Sequence, residues 1–235
     1  MTELADRPVL GRLFAHDRLV RLSDAGADGV LRLDGVARFL QDAASDDWID
    51  SGVEPERTWV VRRTTVRLAE GGRWPVLGER VVIATWCSGT GPACAERRSD
   101  IEVDGTVVVE AAALWVPLDR SGRPGRLGPA FEATYGAAAQ GRRVSGRVRP
   151  GLVLPDATRR PWPIRRADLD VAGHVNNAAV WAAVTEVTTG RVERATVDHH
   201  GPLSAGTPVQ MLTAPGRMWL VTGDEVTVSA EFTPP

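Results

Sequence analysis

The sequence predicts an α+β protein in which one plan, strand then long helix then antiparallel meander, is used twice. Three observations carry this. Apolar residues recur at three- and four-residue steps in two segments, near 34–50 and 177–193, and each segment is followed by short β-branched runs separated by Gly, Pro and Asp turns. Between the two copies lies a stretch rich in Gly, Pro, Arg and Ala with little periodicity. A plan repeated at about half-chain spacing argues for duplication, with two similar domains whose sheets can join into one surface.

In the first copy, Phe14, Leu19, Val20 and Leu22 alternate loosely and predict a strand over 14–23, then a turn at Asp24-Ala25-Gly26-Ala27-Asp28-Gly29. Leu33, Val36, Ala37, Leu40, Ala44 and Trp48 mark one apolar face of a helix from Asp34 to Asp50. Asp34 is its expected N-cap and Gly52 its expected stop. Strands are expected at 59–68, 79–87, 94–103 and 107–118, turning at Gly71-Gly72, at 88–92 and at Asp104-Gly105. Cys87 and Cys94 flank the middle turn and could face each other across that pair, although a cytosolic pair is normally reduced.

From Asp119 to Arg160 the chain reads as a linker crossing the surface, with one short helix near 131–139. The second copy then follows: a strand end at 161–166, a helix over 177–193, and strands at 195–200, 208–214, 217–222 and 225–232. The expected domains are 1–135 and 160–235, joined by a linker over 136–159.

With 43% hydrophobic residues, 235 residues can bury a sizeable core. A formal charge of −2 and the lack of an aromatic-studded basic stripe argue against nucleic acid as a partner. No apolar run is long enough for a membrane span and the N-terminus lacks the regions of a signal peptide, so the expected address is cytoplasmic. All 28 basic residues are arginine, which excludes a Walker-type lysine, a Schiff-base enzyme and a lysine general base. No Cys/His cluster has metal-ligand spacing, and neither a metal nor a cofactor is expected.

Reactive groups concentrate in Arg165-Arg166-Ala167-Asp168-Leu169-Asp170-Val171-Ala172-Gly173-His174-Val175-Asn176-Asn177, directly ahead of the second predicted helix. A helix N-terminus offers unpaired N–H groups and a positive dipole end, so an acyl carbonyl gaining negative charge would be stabilised there. The run Asp168-x-Asp170-x-x-Gly173-His174-Val175-Asn176-Asn177, followed by Trp181 and Glu186, resembles the signature of hotdog-fold thioesterases. The duplicated plan resembles the acyl-ACP thioesterase family in particular. Leu40-Gln41-Asp42-Ala43, Trp59-Val60-Val61-Arg62-Arg63, Arg73-Trp74-Pro75, Thr85-Trp86-Cys87-Ser88-Gly89 and Ala113-Leu114-Trp115-Val116 are similar to that family as well.

The resemblance implies two tandem hotdog domains, each a curved antiparallel sheet wrapped around a long central helix. It implies hydrolysis of a fatty acyl thioester, fatty acyl-ACP to free fatty acid and ACP, with acyl carrier protein or a CoA thioester as the partner and a homodimer left open. Asp170 and His174 match the ends of the family's Asp-x-Asn-x-His pattern, whereas Ala172 stands in place of its asparagine. Gly201-Pro202-Leu203 stands where the family often carries Glu or Cys. What remains is closer to the simpler acyl-CoA thioesterases of the same fold. A non-catalytic acyl-thioester binder is the rival reading, and a hotdog dehydratase a weaker third.

Asp170 is thus expected to attack the thioester carbon or deprotonate a water, with amides near Gly173 and His174 holding the carbonyl oxygen, and its bland reading is a helix cap. His174 is expected to orient the carbonyl or the water. Gly173, Asn176 and Asn177 are candidate substrate-binding residues, with a turn requirement the simplest role for Gly173 and ties from the loop to the sheet the simplest for both asparagines. His199-His200 reads as part of a solvated strand whose two side chains take opposite faces. The eight tryptophans are core residues first and acyl-tunnel walls second. The doublets Arg62-Arg63, Arg97-Arg98, Arg142-Arg143, Arg159-Arg160 and Arg165-Arg166 read mostly as solvated faces. A fraction of them could make a basic patch for an acidic carrier protein or for the phosphate of CoA or pantetheine.

Overall fold

The computed structural model describes residues 4–53, 58–188 and 191–233. β1 (Leu13–Leu19) leads into α1 (Leu33–Ser51), β2 (Thr58–Leu68), β3 (Arg80–Gly91), β4 (Cys94–Val103) and β5 (Thr106–Leu118). After α2 (Pro129–Tyr135) come β6 (Thr158–Pro161), α3 (Asn177–Thr185), β7 (Arg194–His199), β8 (Gln210–Ala214), β9 (Arg217–Thr222) and β10 (Glu225–Thr233). The ten strands form one sheet in the order β1-β3-β4-β5-β2-β7-β10-β9-β8-β6. The first five strands run β1-β3-β4-β5-β2, and the last five repeat that order from the far edge as β6-β8-β9-β10-β7. The expected recurrence of one plan is therefore present in the α+β topology. The halves join edge to edge where β2 pairs antiparallel with β7, from Arg63 opposite Asp198 to Arg67 opposite Arg194.

Strand alternation sorts the side chains of this sheet onto two faces. Val66, Ala111, Ala195 and Val197 enter the main core, which α1 and α3 share and where they pack on each other. Val36, Phe39 and Ala43 of α1 are fully buried there, at the three- and four-residue steps that the helical period requires. Gly52 ends α1 in the left-handed region at φ 66°, its N–H donating to the Ile49 carbonyl.

The opposite face is covered by chain that carries little secondary structure. Residues near the N-terminus lie along β4, where the Arg98 guanidinium donates to the Ala5 carbonyl at 2.9 Å and Arg7 donates to Asp100 at 2.8 Å. The linker is held beside β3 by Thr90 N–H to the Arg142 carbonyl and Val144 N–H to the Thr90 carbonyl, both 3.1 Å. Arg98 is only 2% exposed, so the Arg97-Arg98 doublet is not a solvated face.

Several local expectations change on folding. Asp34 is not the cap of α1: Arg32 occupies that position, and Asp34 accepts from Arg32 and Arg38 at 2.9 and 2.7 Å. The expected turn at 88–92 is mostly strand, because β3 and β4 continue to Gly91 opposite Cys94 and turn only at Pro92-Ala93. Cys87 sits opposite Arg97 rather than Cys94, and both thiols are free. The linker is not only a surface crossing, since α2 buries Phe131 and Tyr135 against Trp48 and Trp59. The strand end expected at 161–166 lies earlier, at Thr158–Pro161, and 166–168 is a 3-10 turn.

α3 stops at Thr185 instead of continuing to 193, a range that includes 189–190, outside the described residues. Val184, Thr185, Val187 and Thr188 are β-branched and resist helix, and the Thr185 hydroxyl donates to the Trp181 carbonyl at 3.1 Å.

Candidate active site

The loop from Arg165 to Asn176 is closed by its own side chains. The buried Asp168 carboxylate accepts from the Arg165 N–H at 2.8 Å and from the Arg165 guanidinium at 2.7 Å. Asp170 N–H donates to the His174 carbonyl at 2.8 Å and Gly173 N–H to the Asp170 carbonyl at 3.0 Å, making a tight turn in which Gly173 has φ 77°. No heavy atom lies within 4 Å of a Cβ added to Gly173, so the backbone angle and not crowding is what calls for glycine. Val175 N–H donates to the Leu203 carbonyl at 2.8 Å, which ties the turn to the segment after β7.

Within this turn the half-buried Asp170 is held through one oxygen. Its Oδ1 accepts from Ala172 N–H at 2.9 Å and from His174 N–H at 3.4 Å, while Oδ2 has no hydrogen bond among the described residues. The exposed His174 imidazole likewise has no partner among them, and no hydrogen bond joins it to the Asp170 carboxylate. Asp170 does not cap α3. That role belongs to Asn176, whose side-chain oxygen accepts from Ala178 N–H at 2.8 Å, so Asn176 ties the loop to the helix rather than to the sheet.

The amides of Gly173 and His174, expected to hold a carbonyl oxygen, are both consumed inside the turn. Asn177, at the first position of α3, does offer free donors: its backbone N–H and carboxamide make no hydrogen bond among the described residues. Asn177 also lines a narrow cavity of about 30 Å³ between α3, α1 and the sheet, beside Ala178 and Trp181.

Beside it lies a larger, mainly apolar cavity of about 320 Å³, and the two share Gln41, Ala44, Arg97 and Trp115 as walls. Trp48, Trp59 and Phe131 also line the larger cavity, so with Trp115 three tryptophans wall it and Trp181 borders the narrow one, while Trp86 is 1% exposed in the core. Arg97 points into this region and pairs at 2.6 Å with Asp47, which is 1% exposed and also pairs with Arg12 at 2.6 Å. The Trp115 indole N–H is buried without a partner among the described residues. Cys87 lines the larger cavity too, and burial pushes its thiol up to about 11, so at neutral pH it is no thiolate nucleophile.

Two family models match consecutive parts of the chain: the acyl-ACP thioesterase N-terminal domain over residues 11–128 and the acyl-ACP thioesterase C-terminal domain over residues 154–230. The chain belongs to the acyl-ACP thioesterase family. This family member is 27% identical to an uncharacterized protein of Mycobacterium tuberculosis over 97% of its own length and 94% of that protein's. It is 26% identical to the chloroplastic acyl-(acyl-carrier-protein) hydrolase FATB2 of Cuphea viscosissima over 77% of its length and 48% of the hydrolase.

Among solved structures it resembles a putative oleoyl thioesterase from Lactobacillus plantarum (TM-score 0.82, 18% identity, 97% of this chain and 98% of that one). It also resembles the 12:0-ACP thioesterase from Umbellularia californica (TM-score 0.79, 19% identity, 96% and 98%). At those identities the likeness establishes the fold, a large antiparallel sheet with helices of hotdog-like α+β type.

In this family member the described residues contain no group of three or more His, Cys, Asp or Glu side chains placed to hold a metal, and no helix long and apolar enough to cross a membrane. His199-His200 is not a solvated strand. His200 Nε2 meets Ser229 Oγ at 2.9 Å, while His199 Nε2, His200 Nδ1 and Arg62 Nε are buried without partners among the described residues. Burial, with the charges of His200 and Arg62, holds His199 down at about 4. The Asp47–Arg97 pair was missed in the sequence, yet a signal existed: Asp47 lies seven residues after Leu40 and three after Ala44, on the apolar face of α1, where a carboxylate requires a buried partner.

Proposed function

We propose that this chain is a cytosolic thioesterase that hydrolyses fatty acyl-ACP to free fatty acid and ACP. Family membership supports thioester hydrolysis as the reaction class, and one observation of the site supports the substrate class: Asn177, next to the Asp170–His174 turn, lines a narrow cavity that shares four wall residues with an apolar cavity of about 320 Å³. An acyl chain in that cavity leaves its thioester at the N-terminus of α3. There the free N–H and carboxamide of Asn177 accept the charge that develops on the carbonyl oxygen. Asp170 Oδ2 attacks the carbonyl carbon or takes a proton from an attacking water, and His174 orients the reacting groups. Thiolate is a good leaving group, so C–S cleavage needs no strong acid.

The matched family halves and the repeated strand order support a division into two tandem hotdog domains, 1–135 and 160–235, with the reacting loop in the second and most of the acyl cavity in the first. Release of free thiol from a panel of acyl-ACP and acyl-CoA substrates of increasing chain length tests the reading. Turnover of acyl-ACP above acyl-CoA is expected. Preference for the CoA esters would make it an acyl-CoA thioesterase. Tight binding without thiol release would make it a binder, a reading that the unjoined Asp170 and His174 side chains favour.

A further inference from the structure

A second cleft, of about 540 Å³, lies on the sheet face turned away from the acyl cavity. Strand alternation separates the two along β5, where Ala112 and Leu114 line the cleft and Ala111, Ala113 and Trp115 the narrow cavity on the other face; Glu96 of β4 borders both the cleft and the larger cavity. Six arginines and three carboxylates surround the cleft. Each carboxylate is matched to one arginine: Asp198 holds Arg63 through two bonds of 2.6 and 2.7 Å, Glu96 holds Arg142, and Glu231 holds Arg217 at 3.3 Å. Arg143, Arg149 and Arg194 line the same cleft and have no carboxylate partner among the described residues. Arg194 stands opposite Arg67 in the β2–β7 register, where like charges destabilise a strand pair.

We propose that this cleft binds a small molecule carrying a diphosphate, at a site separate from the thioester centre. Three uncompensated guanidinium groups supply the charge that a diphosphate needs, and their planar forks bond phosphate oxygens in pairs. The volume lies within the range of small-molecule sites. The linker over 142–151, fastened to Thr90, walls one side of the recess, so a small anion can enter where the flat acidic face of a protein cannot. Lining residues come from β2 and β5 of the first half, β7, β9 and β10 of the second, and the linker between them. A bound anion therefore bridges all three parts and stabilises the folded chain.

The test is calorimetric titration of the full chain with pyrophosphate, ADP, CoA and sulfate at low salt, together with thermal melts. The wild type should bind pyrophosphate or ADP with a Kd below about 1 mM, a strength that a few charge-assisted bonds supply, and should melt higher in its presence. Arg143→Ala combined with Arg194→Gln should weaken binding at least about tenfold, whereas Arg126→Ala, outside the cleft, should not. ADP binding well above CoA assigns a free nucleotide, and CoA above ADP assigns the diphosphate of a carrier. The proposal is overturned if no diphosphate binds, if sulfate binds as well as pyrophosphate, or if the double variant binds like wild type. None of these readouts uses thioester turnover, so the outcome is independent of the activity proposed above.

Discussion

Asp170 spends one oxygen on the turn, since Oδ1 closes it, and the proposed reaction uses the other, Oδ2. Asp170→Asn keeps an acceptor for the two amides but removes the charge that makes the group a nucleophile or base. Thioester hydrolysis should fall by at least ~10²-fold, the lower end of what a positioned base contributes, with the melting midpoint nearly unchanged. A rate above about half of wild type would leave Asp170 as a turn residue only. In the same single-turnover assay His174→Ala should be milder, Ala172→Asn should equal or exceed wild type, and Asn177→Ala should lose about 10²-fold if Asn177 holds the carbonyl oxygen. Asn176→Ala should act on stability instead, by about 1 kcal/mol, because it removes the cap of α3.

α1 forms one wall of the proposed acyl cavity, and Ala44 on it borders both the narrow and the wide part. Ala44→Phe should fill the narrow part without overpacking the core. Hydrolysis of long-chain substrates should then drop at least ~10-fold relative to short-chain ones, read as the ratio of kcat/KM values. Equal losses at every chain length would place the acyl chain elsewhere.

β7 contributes a different property through His199. The unfolded imidazole takes up a proton near its ordinary value of 6.5, the buried native one only at about 4. Between those values the unfolded state holds more protons, so this group lowers stability as pH falls and contributes nothing above the window. The difference in melting temperature between His199→Gln and wild type should therefore change from pH 7 to pH 4. A constant difference would mean that His199 protonates normally in the folded chain.

At the scale of the whole molecule, the β2–β7 pairing is what makes one sheet of ten strands. Across it, the Thr65 and Thr196 hydroxyls meet at 2.9 Å and Arg63 forms its two bonds to Asp198. Cutting the chain there exposes two strand edges, and α1 and α3 lose each other as packing partners. Neither 1–129 nor 141–235 should fold alone, and separately expressed halves should be insoluble or molten by circular dichroism and thermal melting. Cooperative unfolding of either half in isolation would show that each is self-sufficient.

Local pattern determined a good deal by itself. The steps Leu33, Val36, Ala37, Leu40 specify α1, Asp104-Gly105 specifies a hairpin at φ 50° and 77°, and the Asp170–Asn177 run marks a turn feeding a helix, because each depends only on neighbours in the chain. The repeated plan was legible for the same reason.

Tertiary structure decided what depends on distant partners. Whether Asp34 caps or pairs was settled by Arg38 competing for it, and whether Cys87 faces Cys94 by a register running on to Gly91. Which asparagine serves the helix and which the cavity was settled by the bonds that the turn consumes. Arginine doublets look alike in sequence, yet Arg98 is buried under the N-terminal segment and Arg143 lines a cleft without a carboxylate partner among the described residues, because only strand pairing and the path of the linker place their countercharges.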